Sequence, residues 1–232
     1  MMSKPIAWGC LFLLAVVGAT AKAKDVQTEI LIRVKTDGNI PVMLLAPAKA
    51  EASAVLLKAG IRVRWETAGR RDSNALRECA GGVADVIDVL VTERAGRKEN
   101  PGALGHALPF ARFGVRVVIF YDRVAAMQTP PSTAILGFAM AHEIGHVLIG
   151  IDSHTLAGVM RAHWDELDYA RMFAHVLAFA PEDAEAMRRR VSQKSRFCLE
   201  AGTASAAVTG ESHIPSLVSP SQLAYPAGER ER

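Results

Sequence analysis

The chain has 232 residues, half of them hydrophobic, and a formal net charge of +3. That length suits one domain with a real core rather than two. A charge this small, spread along the sequence, makes no case for nucleic acid as a partner. The one dense basic run, Arg188 to Arg190, reads as the solvated, dipole-favoured end of a helix.

The first 23 residues, "MMSKPIAWGCLFLLAVVGATAKA", read as a cleavable signal peptide. A lysine stands near the start, an apolar run follows, and small residues at Ala19, Ala21 and Ala23 offer cleavage after Ala21 or Ala23. The apolar run is too short to span a bilayer, and Cys10 precedes most of it, which argues against a lipid anchor there. The expectation is an exported protein, secreted or periplasmic, with no stable membrane anchor. Removal of the leader leaves Cys79 and Cys198, expected to form one disulfide in an oxidising compartment. Two cysteines so far apart are a poor match for a zinc finger.

From residue 24 to 199 the sequence reads as one domain. "QTEILIRVKTDG" alternates as a strand, with Ile30, Ile32 and Val34 on one side and a turn at Asp37-Gly38. "APAKAEASAVLLKAG" is expected as a helix, with Pro47 near its start and Gly60 as its stop. Strands follow in "IRVRWET", "VIDVLVTE" and "VRVVIFYD". "STAILGFAMAHEIGHVLIG" is apolar nearly all round, so it is expected as a buried helix ended by Gly150 in the left-handed conformation. "WDELDYARMFAHVLAF" has Asp165 at a cap position and an apolar stripe through Leu167, Ala170, Phe173, Ala174 and Leu177. "PEDAEAMRRRV" opens a further helix with Pro181. From 200 to 232 small and polar residues dominate, and a disordered tail is expected. The fold class is therefore α+β: a mixed, twisted sheet with one central active-site helix and C-terminal helices.

The chemistry sits in "AMAHEIGHVLIGIDSH". His142 and His146 are one helical turn apart on the same face, so both rings can present nitrogens to one ion. Glu143 is rotated by about 100°, so its carboxylate can reach a metal-bound water without being a ligand. This is the zincin arrangement of HExxH, with zinc as the cofactor and Glu143 as general base. Polar groups in a buried helix need partners, and a metal supplies one. The third ligand has three candidates. His154 follows Gly150 at a reach of at most about 14 Å and is favoured, because imidazole suits zinc. Asp152 and Glu166 are the alternatives.

"HEIGHVLIGIDSHTLAGVM" resembles the metzincin clan of zinc proteases, and its matrixin branch in particular, with two extra residues before the third histidine. The resemblance implies that Met160 occupies the tight methionine turn beneath the metal. "GALGHALPF" resembles the matrixin edge strand that lines the cleft, which implies that Leu104, Gly105 and Ala107 lend backbone groups to a peptide substrate. In matrixins the histidine of that strand binds a second, structural zinc. Accompanying ligands and acidic calcium loops are missing here, so His106 is left unassigned. Tyr169 and His163 are candidates for stabilising the oxyanion.

The functional expectation is a monomeric, exported zinc endopeptidase acting on peptides or proteins. The alternative is a zincin-fold protein that binds metal or a partner without proteolysis.

Overall fold

The computed structural model of the chain describes residues 29–67, 85–111, 114–127 and 132–209. The expected leader, Cys79 with its expected bridge to Cys198, and most of the expected tail lie outside them. The elements run β1 (Glu29–Asp37), α1 (Val42–Lys58), β2 (Arg62–Thr67), β3 (Val86–Thr92), β4 (Gly105–Ala107), β5 (Val115–Phe120), α2 (Tyr121–Ala126), α3 (Ser132–Ile149), α4 (Glu166–Phe173) and α5 (Pro181–Thr209).

Among the described residues the protein is α+β, with one five-stranded mixed sheet in the order β2-β1-β3-β5-β4. Parallel strands need a crossover between them, and α1 is the crossover from β1 to its parallel neighbour β2. β1, β3 and β5 are also parallel to one another, whereas β4 runs antiparallel to β5 and forms an edge. Period-2 alternation decides which face is buried. Ile30, Ile32 and Val34 of β1, with Ile87, Val89 and Val91 of β3, form the core face. In the opposite phase Arg33 and Asp88 are directly paired across β1 and β3, through two bonds of 2.7 Å.

Helix α3 fills the core beneath this sheet. Fifteen consecutive residues, Ala134 to Leu148, are buried, and the helix packs against α1, α5, β4 and β5. It is long and apolar enough to cross a membrane, but most of it is enclosed by the rest of the fold, as expected of a core helix.

Several boundaries depart from the sequence reading. Helix α1 begins at Val42, so Pro47 lies inside it rather than at its start. The missing N–H costs one backbone bond, offset by the buried stripe Ala48, Ala52, Val55 and Leu56. The strand expected to continue to Asp122 stops at Phe120, and Tyr121 opens α2. Helix α4 ends at Phe173, and His175 takes a left-handed φ of 56°. Of its expected apolar stripe only Leu177 is buried, and it lies beyond the helix; Leu167, Ala170, Phe173 and Ala174 are exposed, while Asp168 and Met172 form the buried face of α4.

Helix α5 continues past Val191 to Thr209, through residues expected to begin the tail. The basic run is therefore mid-helix rather than terminal. Arg188 donates to Ala59 O at 2.9 Å and Arg190 to Ile149 O at 3.1 Å, capping the C-terminal ends of α1 and α3. Cations at those ends also complement the helix dipoles.

Candidate metal centre

Helix α3 stops at Gly150, whose φ is +76°. A side chain there would be strained by that backbone conformation and would also strike Arg190, whose Nη1 lies 1.5 Å from the ideal β-carbon position. The amides of Gly150 and Ile151 both return to His146 O, at 2.8 and 3.3 Å. The reversed chain then leads to His154. Its neighbour Thr155 is held through its amide, which donates to Met160 O at 3.0 Å in a bridge to Arg161, and through its hydroxyl, which reaches Ala157 O at 3.2 Å and Asp183 at 3.0 Å.

The turn brings three imidazoles together. The ring centroid of His154 is 5.2 Å from that of His142 and 4.8 Å from that of His146. One ligand atom from each of the three lies within 4.8 Å of the others, so the group can hold a metal ion. Asp152 lines the same cleft, and its charge acts on His146 and His154, but it is not part of this group. Glu166, at the first turn of α4, is exposed and does not line the cleft.

The donor set itself tests the fit to a cation. His142 Nδ1 donates to Val159 O at 2.7 Å and His146 Nδ1 to Ile151 O at 3.1 Å. A carbonyl can only accept, so in each neutral ring the remaining nitrogen, Nε2, is a bare lone pair. These two Nε2 atoms face each other at 3.1 Å. Lone pairs at that distance repel unless a proton or a cation lies between them. Burial holds the His142 imidazole down to about 3 and lowers His146 as well, which disfavours a proton shared between them. Tetrahedral zinc with bonds of about 2.1 Å would place two ligand nitrogens about 3.4 Å apart, close to the spacing found. Burial also lowers His146, and partial desolvation lowers the more exposed His154, with His163 adding to it. All three are therefore biased to the neutral, ligating form.

The carbonyls that orient the rings carry no sequence signature, and sequence reasoning missed them. Val159 O also accepts from Trp164 Nε1 at 3.1 Å, and the Trp164 ring stands edge-on to His142 at 5.7 Å. Val159 is itself fixed through its amide to Ala178 O at 3.0 Å. Met160, buried to 1% exposure, lies directly beneath the histidine helix. Its sulfur is 2.6 Å from where a β-carbon on Gly145 would stand, so Gly145 leaves room for the turn that carries Met160.

Glu143 is buried beside His142, and no hydrogen bond fixes its carboxyl among the described residues. Burial pushes it up to about 8. It faces β4 closely: a β-carbon on Gly105 would meet Glu143 Cγ at 3.1 Å and Val118 O at 2.5 Å.

Both features open into one cleft of about 410 Å³. Leu104, Gly105, His106 and Ala107 form one wall, while Trp164, Tyr169 and His163 contribute to the other. Along β4, Phe120 N donates to Leu104 O and Leu108 N to Arg116 O, both at 2.8 Å. Alternation then turns the N–H and C=O of Gly105 and Ala107 to the sheet edge, which no strand covers among the described residues. The Leu104 carbonyl is already used by β5, so of the three residues expected to serve substrate only Gly105 and Ala107 have both groups available. His106 pairs through Nδ1 with Glu99 at 3.1 Å.

The sequence matches no family model, and no curated protein matches it. In three dimensions the chain is similar to archaemetzincin from Methanopyrus kandleri, at 16% identity and a TM-score of 0.44, over 73% of this chain and 98% of that one. At that score the likeness is one of outline, and the chemistry is read from the three histidines and Glu143 themselves.

Proposed function

We propose that the protein is a zinc-dependent endopeptidase of zincin type, in which His142, His146 and His154 hold the metal and Glu143 is the general base. The observation that carries this reading is the pair of buried Nε2 lone pairs facing each other at 3.1 Å, with His154 completing the group and Glu143 alongside. A bound zinc would supply Lewis acidity at the open side of the triad.

The chain's own residues account for the rest. An extended peptide adds to the edge of β4 through Gly105 and Ala107, which fixes its backbone above α3. Glu143, unencumbered by other bonds and favoured as the carboxylate by the charge of a bound cation, takes a proton from the attacking water and returns it to the leaving amine as the C–N bond breaks. Its burial, close against Gly105, limits the access of bulk water to that proton. Tyr169 and His163 line the same cleft and offer donors to the tetrahedral oxygen. Export through a cleaved leader and action as a monomer belong to the same proposal.

The test is digestion of a peptide library by the zinc-loaded chain, beside Glu143→Gln with its metal content measured. Cleavage lost on substitution with metal retained supports the reading. Metal binding without Glu143-dependent cleavage would instead favour a metal-binding or partner-binding role.

A further inference from the structure

The cleft wall above β4 is built from the connection between β3 and β4, and Asn100, Gly102, Ala103 and Leu104 of it line the cavity. This connection has little core of its own. Pro101 and Gly102 are exposed, and the bonds described within Asn100–Ala103 are local, from Ala103 N to Asn100 O at 3.0 Å and from Gly102 N to Asn100 Oδ1 at 3.2 Å. A wall so short of apolar contacts opens easily unless it is tied from outside.

The tie comes from two consecutive residues of α2. Asp122 accepts from Ala95 N at 3.2 and 3.3 Å, holding the beginning of the connection. Arg123 holds its end, since its Nη1 donates to both Asn100 O and Ala103 O. The guanidinium stacks on the ring of Phe120, 4.8 Å from its centroid, and Phe120 is buried. The same ring stands edge-on to His106 at 5.7 Å, and His106 pairs with Glu99, immediately before Asn100. The wall is thus tied from α2, from β5 and from β4, and Arg123 is the group common to the first two.

We propose that Arg123 is a positioning residue for substrate: it fixes Asn100–Leu104 as the upper wall of the cleft, so that peptide binding rather than bond cleavage depends on it. The inference rests on the peptidase reading above. A planar guanidinium can donate to two carbonyls while its flat face stacks on an aromatic ring; a lysine ammonium can reach the carbonyls but has no plane to stack, so it holds the wall less firmly. Arg123 lies outside the cavity lining and touches neither the histidines nor Glu143.

The test compares the zinc-loaded wild-type chain with Arg123→Ala and Arg123→Lys. Zinc content, steady-state kinetics on one peptide, and amide hydrogen exchange over residues 99–104 would be measured. The expected result is unchanged zinc, KM raised by roughly tenfold as one charge-assisted clamp is lost, kcat within about twofold, and faster exchange confined to the wall. Lysine should fall between arginine and alanine in both KM and exchange, and it guards against a folding defect in the alanine variant. A fall in kcat at constant KM, or exchange that stays at the wild-type rate, would overturn the proposal. A wild-type chain that holds zinc but cleaves nothing would sink the peptidase reading and with it the KM effect, while exchange would still decide whether Arg123 holds the wall.

Discussion

Met160 and Gly145 stand in mutual dependence: the methionine sulfur lies 2.6 Å from the position a β-carbon on Gly145 would take, and Phe179 Cε1 lies 2.9 Å from it. The glycine sits between the two histidines of α3, and the methionine belongs to the turn that carries Val159, the carbonyl partner of His142.

Gly145→Ala should therefore destabilise the fold although alanine is the better helix former. Overpacking costs about 1–3 kcal/mol, against about 1 kcal/mol gained in helix propensity. Because the displaced turn orients His142, zinc affinity should fall together with stability. Chemical denaturation and a zinc titration of the same protein would check both. A more stable variant with full zinc affinity would contradict the packing described.

Removal of the third histidine distinguishes the candidate ligands. Loss of a group that only orients a ligand costs about 10–100-fold in metal affinity. His154→Ala should exceed that range. Asp152→Ala should fall below it, since Asp152 bonds none of the three histidines, and Glu166→Ala should have no effect. Competition with a chromophoric chelator would rank the three, and a larger loss for Asp152→Ala would transfer the role to that residue.

The zinc-free chain should lose stability as the pH rises through neutrality. The folded state holds Glu143 up at about 8, against an ordinary 4.5. Its contribution is complete below 4.5 and is lost as pH rises through 8. His142 runs the other way: lowered from 6.5 to about 3, its contribution is complete above 6.5 and is lost on acidification. Above 6.5 the Glu143 loss is therefore no longer offset by His142, at a slope of about 1.4 kcal/mol per pH unit. Glu143→Gln should remove that part of the slope, as should loading with zinc, whose charge favours the carboxylate. An identical slope in the variant would mean that Glu143 is not held protonated by the fold.

Asp85 accepts from buried Arg116 at 3.0 Å and also from Lys194, joining β3, β5 and α5. Arg116 Nε has no partner among the described residues. Asp85→Ala leaves a buried guanidinium uncompensated and should cost about 3–5 kcal/mol. Replacing Arg116 with methionine in the same chain should recover much of that loss, and urea unfolding of the single and double variants would show it.

The central motif was readable in the sequence because its chemistry is local. A histidine pair one turn apart, an apolar surround and a terminating glycine define α3 and two of its three donors without reference to the rest of the chain. The strands were readable for the same reason, since alternation at Ile30, Ile32 and Val34 is a short-range signal. Features that depend on long-range pairing were not. The stripe expected on α4 failed because a buried Asp168 bonded to Arg161 takes the place of an apolar side chain. The basic run of α5 was misplaced because its partners, Ala59 O and Ile149 O, are distant in sequence. Backbone carbonyls such as Val159 O and Ile151 O are present in every residue, so nothing in the sequence marks the two that orient the histidines.

The most direct measurement is a crystal structure of the zinc-soaked chain, with anomalous data collected above and below the zinc edge. The account predicts one strong peak per chain, at about 2.0–2.1 Å from Nε2 of His142, Nε2 of His146 and one ring nitrogen of His154, with one coordination position facing Glu143. No peak between the histidines, or a peak bound by Asp152 with His154 turned away, would contradict it.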